Sequence, residues 1–385
     1  MPEIGQKRRL RFFIGPFQGR GLQHVLRHVL RRFLRFSSIP LAGFLILAAG
    51  MVSTGDAGAP DQDIVFFRIG TGATSGTYFP IGGLIASAIS NPPGSRSCKS
   101  GGSCGVPGLI AVAQSTEGSV ENIELMMSGE LDSGLSQADV AFWAYRGEKM
   151  FKGKLASGEK KGGKPLGANL RAIANLFPES VHLVVRKESK ISSVADLKGK
   201  RVSLGEPESG TLASATLILN GFGLNQKRIK PFYLTPGDAA DKLRGGEIDA
   251  FFLIAGAPVR AIVDLASEIP VALVPVSGKK ADKIRKSDPF FVETVIPSEA
   301  YEGIEATETL SVGAQWLIRA ELADDFVYEI TRALWDGNIR KLLAAGHPLG
   351  KMIQPETALD GLGLPLHPGA ERYYKEKGLL LLGEE

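Results

Sequence analysis

From Asp61 onward the chain alternates short strand-like runs with helical ones, and that alternation limits the available folds more than any other feature. Strands are expected at Ile64 to Ile69, Leu109 to Ala113, Ser133 to Ser136, Ala172 to Leu176, His182 to Arg186, Arg201 to Leu204 and Ala250 to Leu253. Each is short and bounded by Gly, Pro or polar residues. Between and after them, apolar residues recur at helical spacing: Ile81, Leu84, Ile85 and Ala88, then Leu212, Ala215, Thr216 and Leu219, then Ala323, Phe326, Val327, Ile330 and Leu334. The expected class is α/β, built from βαβ units. A single core stops growing at roughly 250 to 300 residues, so a chain of 385 residues points to two lobes. Phe151 to Gly167, rich in Lys and Gly, is expected to be a solvated loop.

The excess positive charge belongs to one end. Nine of the 45 Lys and Arg precede Asp61 but only two of the 41 acidic residues do, so the rest of the chain is mildly acidic. It carries no basic stripe interleaved with aromatics, and nucleic acid is not an expected partner. Within residues 1–60, Ile39 to Val52 form an apolar run of signal-peptide length, followed by small residues suited to cleavage. Export is expected, leaving the protein periplasmic or held at the membrane by an uncleaved segment. Upstream, Leu22, Val25, Leu26, Val29, Leu30 and Phe33 recur at helical spacing, with Arg27, Arg31 and Arg35 opposite them. That pattern fits an anionic membrane surface or an extended basic n-region. The two cysteines, Cys98 and Cys104, lie close together in a Gly/Ser/Pro-rich loop, and in an exported chain they are expected to form a disulfide. A metal site would need more ligands at shorter spacing, and no metal or cofactor is expected.

The most informative segment, Gly70-Thr71-Gly72-Ala73-Thr74-Ser75-Gly76-Thr77-Tyr78, follows a strand and opens a helix. Glycines allow close backbone approach, and hydroxyls stand beside the unpaired N–H groups of a helix start, a natural place for an anion. Its GxGxxxG spacing is not the dinucleotide fingerprint, and no Gly-Lys-Ser/Thr closes it as a phosphate loop. A tight structural turn is the competing explanation. A second loop of the same kind, Gly205 to Thr211 with Ser209 and Gly210, precedes another helix. Ser115 to Ser119 and Gln137-Ala138-Asp139 stand at two further strand-to-helix junctions, where Ser119 and Asp139 read as plain N-caps. Ligands in open α/β sheets sit at the carboxyl ends of strands, so such loops in two lobes would face each other across a cleft. His182, His347 and His367 have no partner pattern and read as surface or packing residues. Ser209 lacks the surroundings of a nucleophile elbow.

Taken together, Gly72 to Pro80, Cys104-Gly105-Val106-Pro107-Gly108, Gly118-Ser119-Val120-Glu121-Asn122, Gln137-Ala138-Asp139, Asp196 to Val202, Ser209-Gly210-Thr211, Ile248 to Phe252, Ala255 to Pro258 and Pro365 to Tyr374 form a pattern. In it the chain from about Ile64 to Leu380 resembles the TAXI family of TRAP-transporter solute receptors. The resemblance implies a type II periplasmic-binding-protein fold, two α/β lobes joined by a hinge around a central cleft. It implies no catalysis: a monomer would bind a small carboxylate or amino acid and deliver it to a TRAP-type membrane permease. The expected divisions are a leader over 1–60, the first part of lobe 1 over 61–184, lobe 2 over 185–296 and a return segment over 297–385. By position, Thr74, Ser75, Gly76, Thr77, Tyr78 and Gln137 would hold the solute from one lobe. Ser209, Gly210 and Thr211 would close from the other, beside Gly256 and Pro258. Ala73 and Ser75 stand where the family often has glycine, which would narrow the pocket. A membrane-associated sensory module on the same lobes and a two-lobed transferase are the rival readings.

Overall fold

The computed structural model describes residues 63–156, 159 and 162–380. The basic leader with its apolar run lies outside the described residues, as does part of the Lys/Gly-rich loop. The strands are β1 (Val65–Gly70), β2 (Ser90–Asn91), β3 (Val106–Pro107), β4 (Leu109–Gln114), β5 (Ser133–Gln137), β6 (Leu170–Arg186), β7 (Arg201–Ser203), β8 (Lys230–Phe232), β9 (Ala250–Ala255), β10 (Val271–Leu273), β11 (Val292–Ile296) and β12 (Thr307–Arg319). The helices are α1 (Tyr78–Ile89), α2 (Ser119–Ser128), α3 (Ala138–Arg146), α4 (Gly210–Gly221), α5 (Pro236–Arg244), α6 (Arg260–Glu268), α7 (Gly278–Ser287), α8 (Asp324–Leu334), α9 (Gly337–Gly346) and α10 (Pro368–Glu376).

One sheet runs through both lobes in the order β4-β1-β5-β12-β6-β9-β7-β8, with β10 added to β6 and β11 to β12. The parallel group β4-β1-β5 belongs to lobe 1 and the parallel group β9-β7-β8 to lobe 2. Two long antiparallel strands join them. β6 pairs through Leu170 to Ser180 with β12, and from Ser180 onward with β9. β12 pairs through Thr307 to Ser311 with β11, and through Ala314 to Ile318 with β5. This is the two-lobed α/β architecture expected from the sequence, with lobe 1 interrupted by lobe 2.

The cores follow from helices covering both faces of each half of the sheet. In β9 every residue is buried: Ala250, Phe252 and Ile254 pack into one core, while Phe251, Leu253 and Ala255 pack into the opposite one. The period of two along a strand thus makes an unbroken apolar run serve two layers. In lobe 1, Phe67, Ile69, Ile81, Ile85 and Trp316 share a core with α8, α9 and α10, while α2 and α3 cover the other face. Each lobe also ties two parallel strands with a bidentate ion pair. Arg68 on β1 grips Asp132 just before β5, and Arg201 on β7 grips Asp249 just before β9.

The structure corrects the sequence reading at several places. Ala172 to Leu176 and His182 to Arg186 are not two strands but parts of the single strand β6, which runs through Phe177-Pro178-Glu179. Pro178 needs no ladder partner for a missing N–H because it is exposed and lies opposite Gly313, beside an irregularity in the β6–β12 pairing. The Lys/Gly-rich loop is anchored at its start, where Phe151 is fully buried. The expected disulfide between Cys98 and Cys104, by contrast, is present, closing a short loop between α1 and β4 that β2 and β3 frame by pairing with each other.

One buried amide organises the strand ends of lobe 1. Asn122 on α2 is completely buried, and its Nδ2 donates to Thr71 O at 2.7 Å and Leu135 O at 2.8 Å. Its Oδ1 accepts from Thr116 Oγ1 at 2.8 Å, so the ends of β1 and β5 and the loop after β4 are fixed to one side chain. Asn122→Ala leaves two carbonyls without a donor and is expected to lower unfolding free energy by roughly 2–4 kcal/mol, read from urea denaturation of the full chain.

Candidate functional site

Five helices begin where strands of the two lobes end. α1 follows β1, α2 follows β4 and α3 follows β5 in lobe 1; α4 follows β7 and α5 follows β8 in lobe 2. The first amides of a helix have no intrahelical partner, and how each start satisfies them decides what it can do. At α1 the N-cap residue Thr77 forms no side-chain cap, and its hydroxyl donates across the cleft to Gly256 O at 3.3 Å. The N–H groups of Thr77, Tyr78 and Phe79 have no acceptor among the described residues. At α4, Ser209 Oγ accepts from Leu212 N at 3.1 Å, leaving the N–H groups of Gly210 and Thr211 without an acceptor among the described residues. At α2 the free amides of Val120 and Glu121 are taken by Glu208 O of the other lobe, at 3.1 and 3.2 Å.

The starts of α1, α2 and α4 converge on one cavity of about 60 Å³. A water needs some 10–15 Å³ by this measure, so the space suits about four to six waters, or a compact solute of similar extent. Gly76, Thr77 and Tyr78 line it from α1, Gly118 and Ser119 from α2, and Gln137 from the end of β5. Ser209, Gly210 and Thr211 face them from lobe 2. Two glycines make this approach possible. Gly118 has φ of 119°, which side-chain-bearing residues rarely adopt. A Cβ on Gly210 would stand 2.6 Å from Gln137 Cδ and from Ser119 Oγ.

Of the residues singled out in the sequence, Gly76, Thr77, Tyr78, Gln137, Ser209, Gly210 and Thr211 are brought together in this cavity. Thr74 and Ser75 are not among its walls. Thr74 is exposed, and Ser75 Oγ accepts from Gly237 N at 3.1 Å, bridging the α1 loop to the start of α5. Gly256 meets the site through its carbonyl, whereas Pro258 lies outside the cavity wall. Ser119 and Asp139 are not N-caps. The caps are Gly118 and Gln137, while Ser119 Oγ accepts from Gln137 N at 3.1 Å. Asp139 Oδ1 accepts from Val140 N at 2.9 Å.

Sequence reasoning missed the carboxylates. Glu117, Glu179 and Glu206 line the cavity, and no Lys, Arg or His does. Glu179, only 2% exposed, accepts from the Tyr78 hydroxyl at 2.6 Å. Burial pushes its carboxyl up to about 8, with the nearby Asp139 adding to the rise and the Tyr78 hydrogen bond opposing it. Burial likewise brings Asp139 to about 7, and brings Glu206 to about 7 with help from Glu117. Glu179 adjoins Pro178 in a segment that reads as a strand end, and only the tertiary path of β6 turns it inward.

His182 belongs to packing, as expected, though deep inside. Its Nδ1 hydrogen donates to Ser180 O at 2.9 Å, so Nε2 accepts from Tyr301 OH at 2.9 Å. Burial pushes it down to about 4. A larger cavity of about 890 Å³ lies beside the cleft, but its walls include Trp143, Leu212, Leu217 and Ile284, and none of the free α1 amides reaches it. Among the described residues no helix is long and apolar enough to cross a membrane, and no group of His, Cys, Asp or Glu is arranged to hold a metal ion.

The raised carboxyls make a stability statement with a definite sign. An acid whose folded pKa lies above its unfolded value holds a proton that the unfolded chain has lost, so stability falls as pH rises between the two values. His182, pushed down to about 4, acts with the opposite sign, but from pH 6.5 upward no more than about half a proton on its unfolded imidazole stands against the three carboxyls. Thermal unfolding of the full chain is therefore expected to occur at progressively lower temperature from pH 6.5 to 8. Glu179→Gln should flatten that decline, as scanning calorimetry across the pH series would detect.

Solved structures similar to this chain share little of its sequence. The alkanesulfonate-binding protein SsuA from Xanthomonas axonopodis pv. citri, solved bound to MOPS, is 16% identical over 81% of this chain and 84% of its own, with a TM-score of 0.43. A putative L-cystine ABC transporter protein from Listeria monocytogenes is 14% identical over 77% of this chain and 98% of its own, with a TM-score of 0.43. An ancestral arginine-binding protein bound to arginine is 16% identical over 73% and 97%, with a TM-score of 0.41. At the level of sequence the match is firmer: a single family profile covers residues 69–378, from the last residues of β1 to the end of the C-terminal helix, and the chain belongs to the NMT1-like family.

Proposed function

We propose that the chain is an exported solute receptor that closes two lobes around a small carboxylate or amino acid and delivers it to a TRAP-type permease. The observation that carries this reading is the convergence of unpaired helix-start amides from both lobes on one small, largely buried cavity. Anions are held at helix starts by N–H groups and the positive end of the helix dipole, without a paired basic side chain. Gln137 adds a side-chain donor: its Oε1 accepts from Ser214 Oγ at 2.9 Å, leaving Nε2 with no acceptor among the described residues. The TRAP assignment rests on the TAXI-like motifs, and periplasmic residence rests on the leader's signal-like pattern.

Lobe closure would turn on β6 and β12, where Pro178 faces Gly313. That puts the hinge a few residues before the 184/185 boundary expected from the sequence, and past the 296/297 boundary on the return. A thermal-shift screen of the full chain against monocarboxylates, dicarboxylates, amino acids and sugars tests the reading, because a bound solute raises apparent stability by mass action. The expected result is a rise with a carboxylate-bearing solute and none with sugars. Gly210→Ala isolates closure from folding. The added methyl meets Gln137 and Ser119 only when the lobes come together, so affinity for that solute should fall at least about tenfold. Unfolding free energy should change by less than about 1 kcal/mol. Titration calorimetry and urea denaturation, run side by side, read the two effects.

A further inference from the structure

The cavity is two-sided in its chemistry. One side offers donors: the α1 and α4 amides and the Gln137 Nε2. The other offers acceptors, and the best placed is Glu179. This carboxyl is 2% exposed and forms part of the cavity wall. Its Oε2 is taken by the Tyr78 hydroxyl, and its Oε1 has no donor among the described residues. Glu117 and Glu206 line the same space, and no Lys, Arg or His there balances the three. A buried carboxyl without a countercharge is costly to ionise, and a cationic guest removes that cost. A dicarboxylate would instead bring a further negative group against these three.

We infer that the solute is a small zwitterion, an α-amino acid, whose ammonium is received by Glu179 while its carboxylate takes the helix-start amides. This rests on the receptor reading above and narrows it. It also accounts for the position of Tyr78, whose hydroxyl holds Oε2 and so orients Oε1 toward the guest.

The test is calorimetric titration of the full chain with two matched pairs, L-glutamate against 2-oxoglutarate and L-alanine against pyruvate. Within each pair the carboxylate is kept and only the amino group is exchanged for a keto oxygen. At least one amino acid should bind at least about tenfold tighter than its keto acid, the range expected for a charge-assisted hydrogen bond. Glu179→Gln keeps an oxygen for Tyr78, and should weaken the amino acid by at least about tenfold while leaving the keto acid unchanged or tighter. Glu206→Gln, farther from full burial, should give a smaller loss of the same sign. A keto acid that binds as tightly as its amino acid overturns this inference alone, and so does a folded Glu179→Gln that binds the amino acid as the parent does. Failure of all four compounds to bind would overturn the carboxylate-receptor reading and this inference together. The paired comparison on the parent chain decides the matter even where a variant does not fold.

Discussion

A helix that starts where a parallel strand ends leaves amide protons without partners, and this molecule sets several such starts against one another. What happens to those protons governs the rest. At α2 they are satisfied by a carbonyl of the opposite lobe, from Glu208, and the start becomes part of the contact between lobes. At α1 and α4 they remain without acceptors among the described residues, and the proposed binding rests on those starts. The strands behind them exist to hold the starts in place. Asn122 fixes the ends of β1 and β5, and the pairs Arg68–Asp132 and Arg201–Asp249 tie the far ends of the parallel strands in each lobe.

Much of this was legible in the residues. The Gly-rich and hydroxyl-rich turns before α1 and α4 announced helix starts with unpaired amides, and β9 read correctly because its unbroken apolar run can only lie between two covered faces. The long strands were harder. Pro178 interrupts β6 in a way that local rules treat as an end, yet an exposed position opposite Gly313 tolerates it. β12 escaped notice because it serves two lobes in turn. Its polar Thr307, Thr309 and Ser311 are buried beside apolar neighbours, so no period of two separates an inside from an outside. Where burial is set by tertiary crossing rather than by one exposed face, hydropathy carries no strand signal.

The same limit explains the carboxylates. Glu117, Glu179 and Glu206 come from the loop after β4, the crossing strand and the loop after β7, so no spacing in the sequence links them. Glycine and hydroxyl motifs reveal donors because helix starts are local. Acceptors gathered from distant segments leave no local trace. The mild acidity of the body after Asp61 was read only as evidence against nucleic acid, although part of it lies inside the cleft.

The bonds between lobes have a further effect. Glu208 O on α2, Gly237 N on Ser75 and Thr77 on Gly256 O are made entirely by protein groups, and each favours the shut arrangement whatever the guest. In the receptor proposed above, such a built-in clasp would leave less of the guest's binding free energy to be spent on bending at the hinge, which would raise apparent affinity. The same clasp would blur the signal that such a receptor sends outward. A docking surface that reads only the shut outline would accept unladen copies too, so faithful cargo delivery would require the clasp to be weaker than the grip on the cargo.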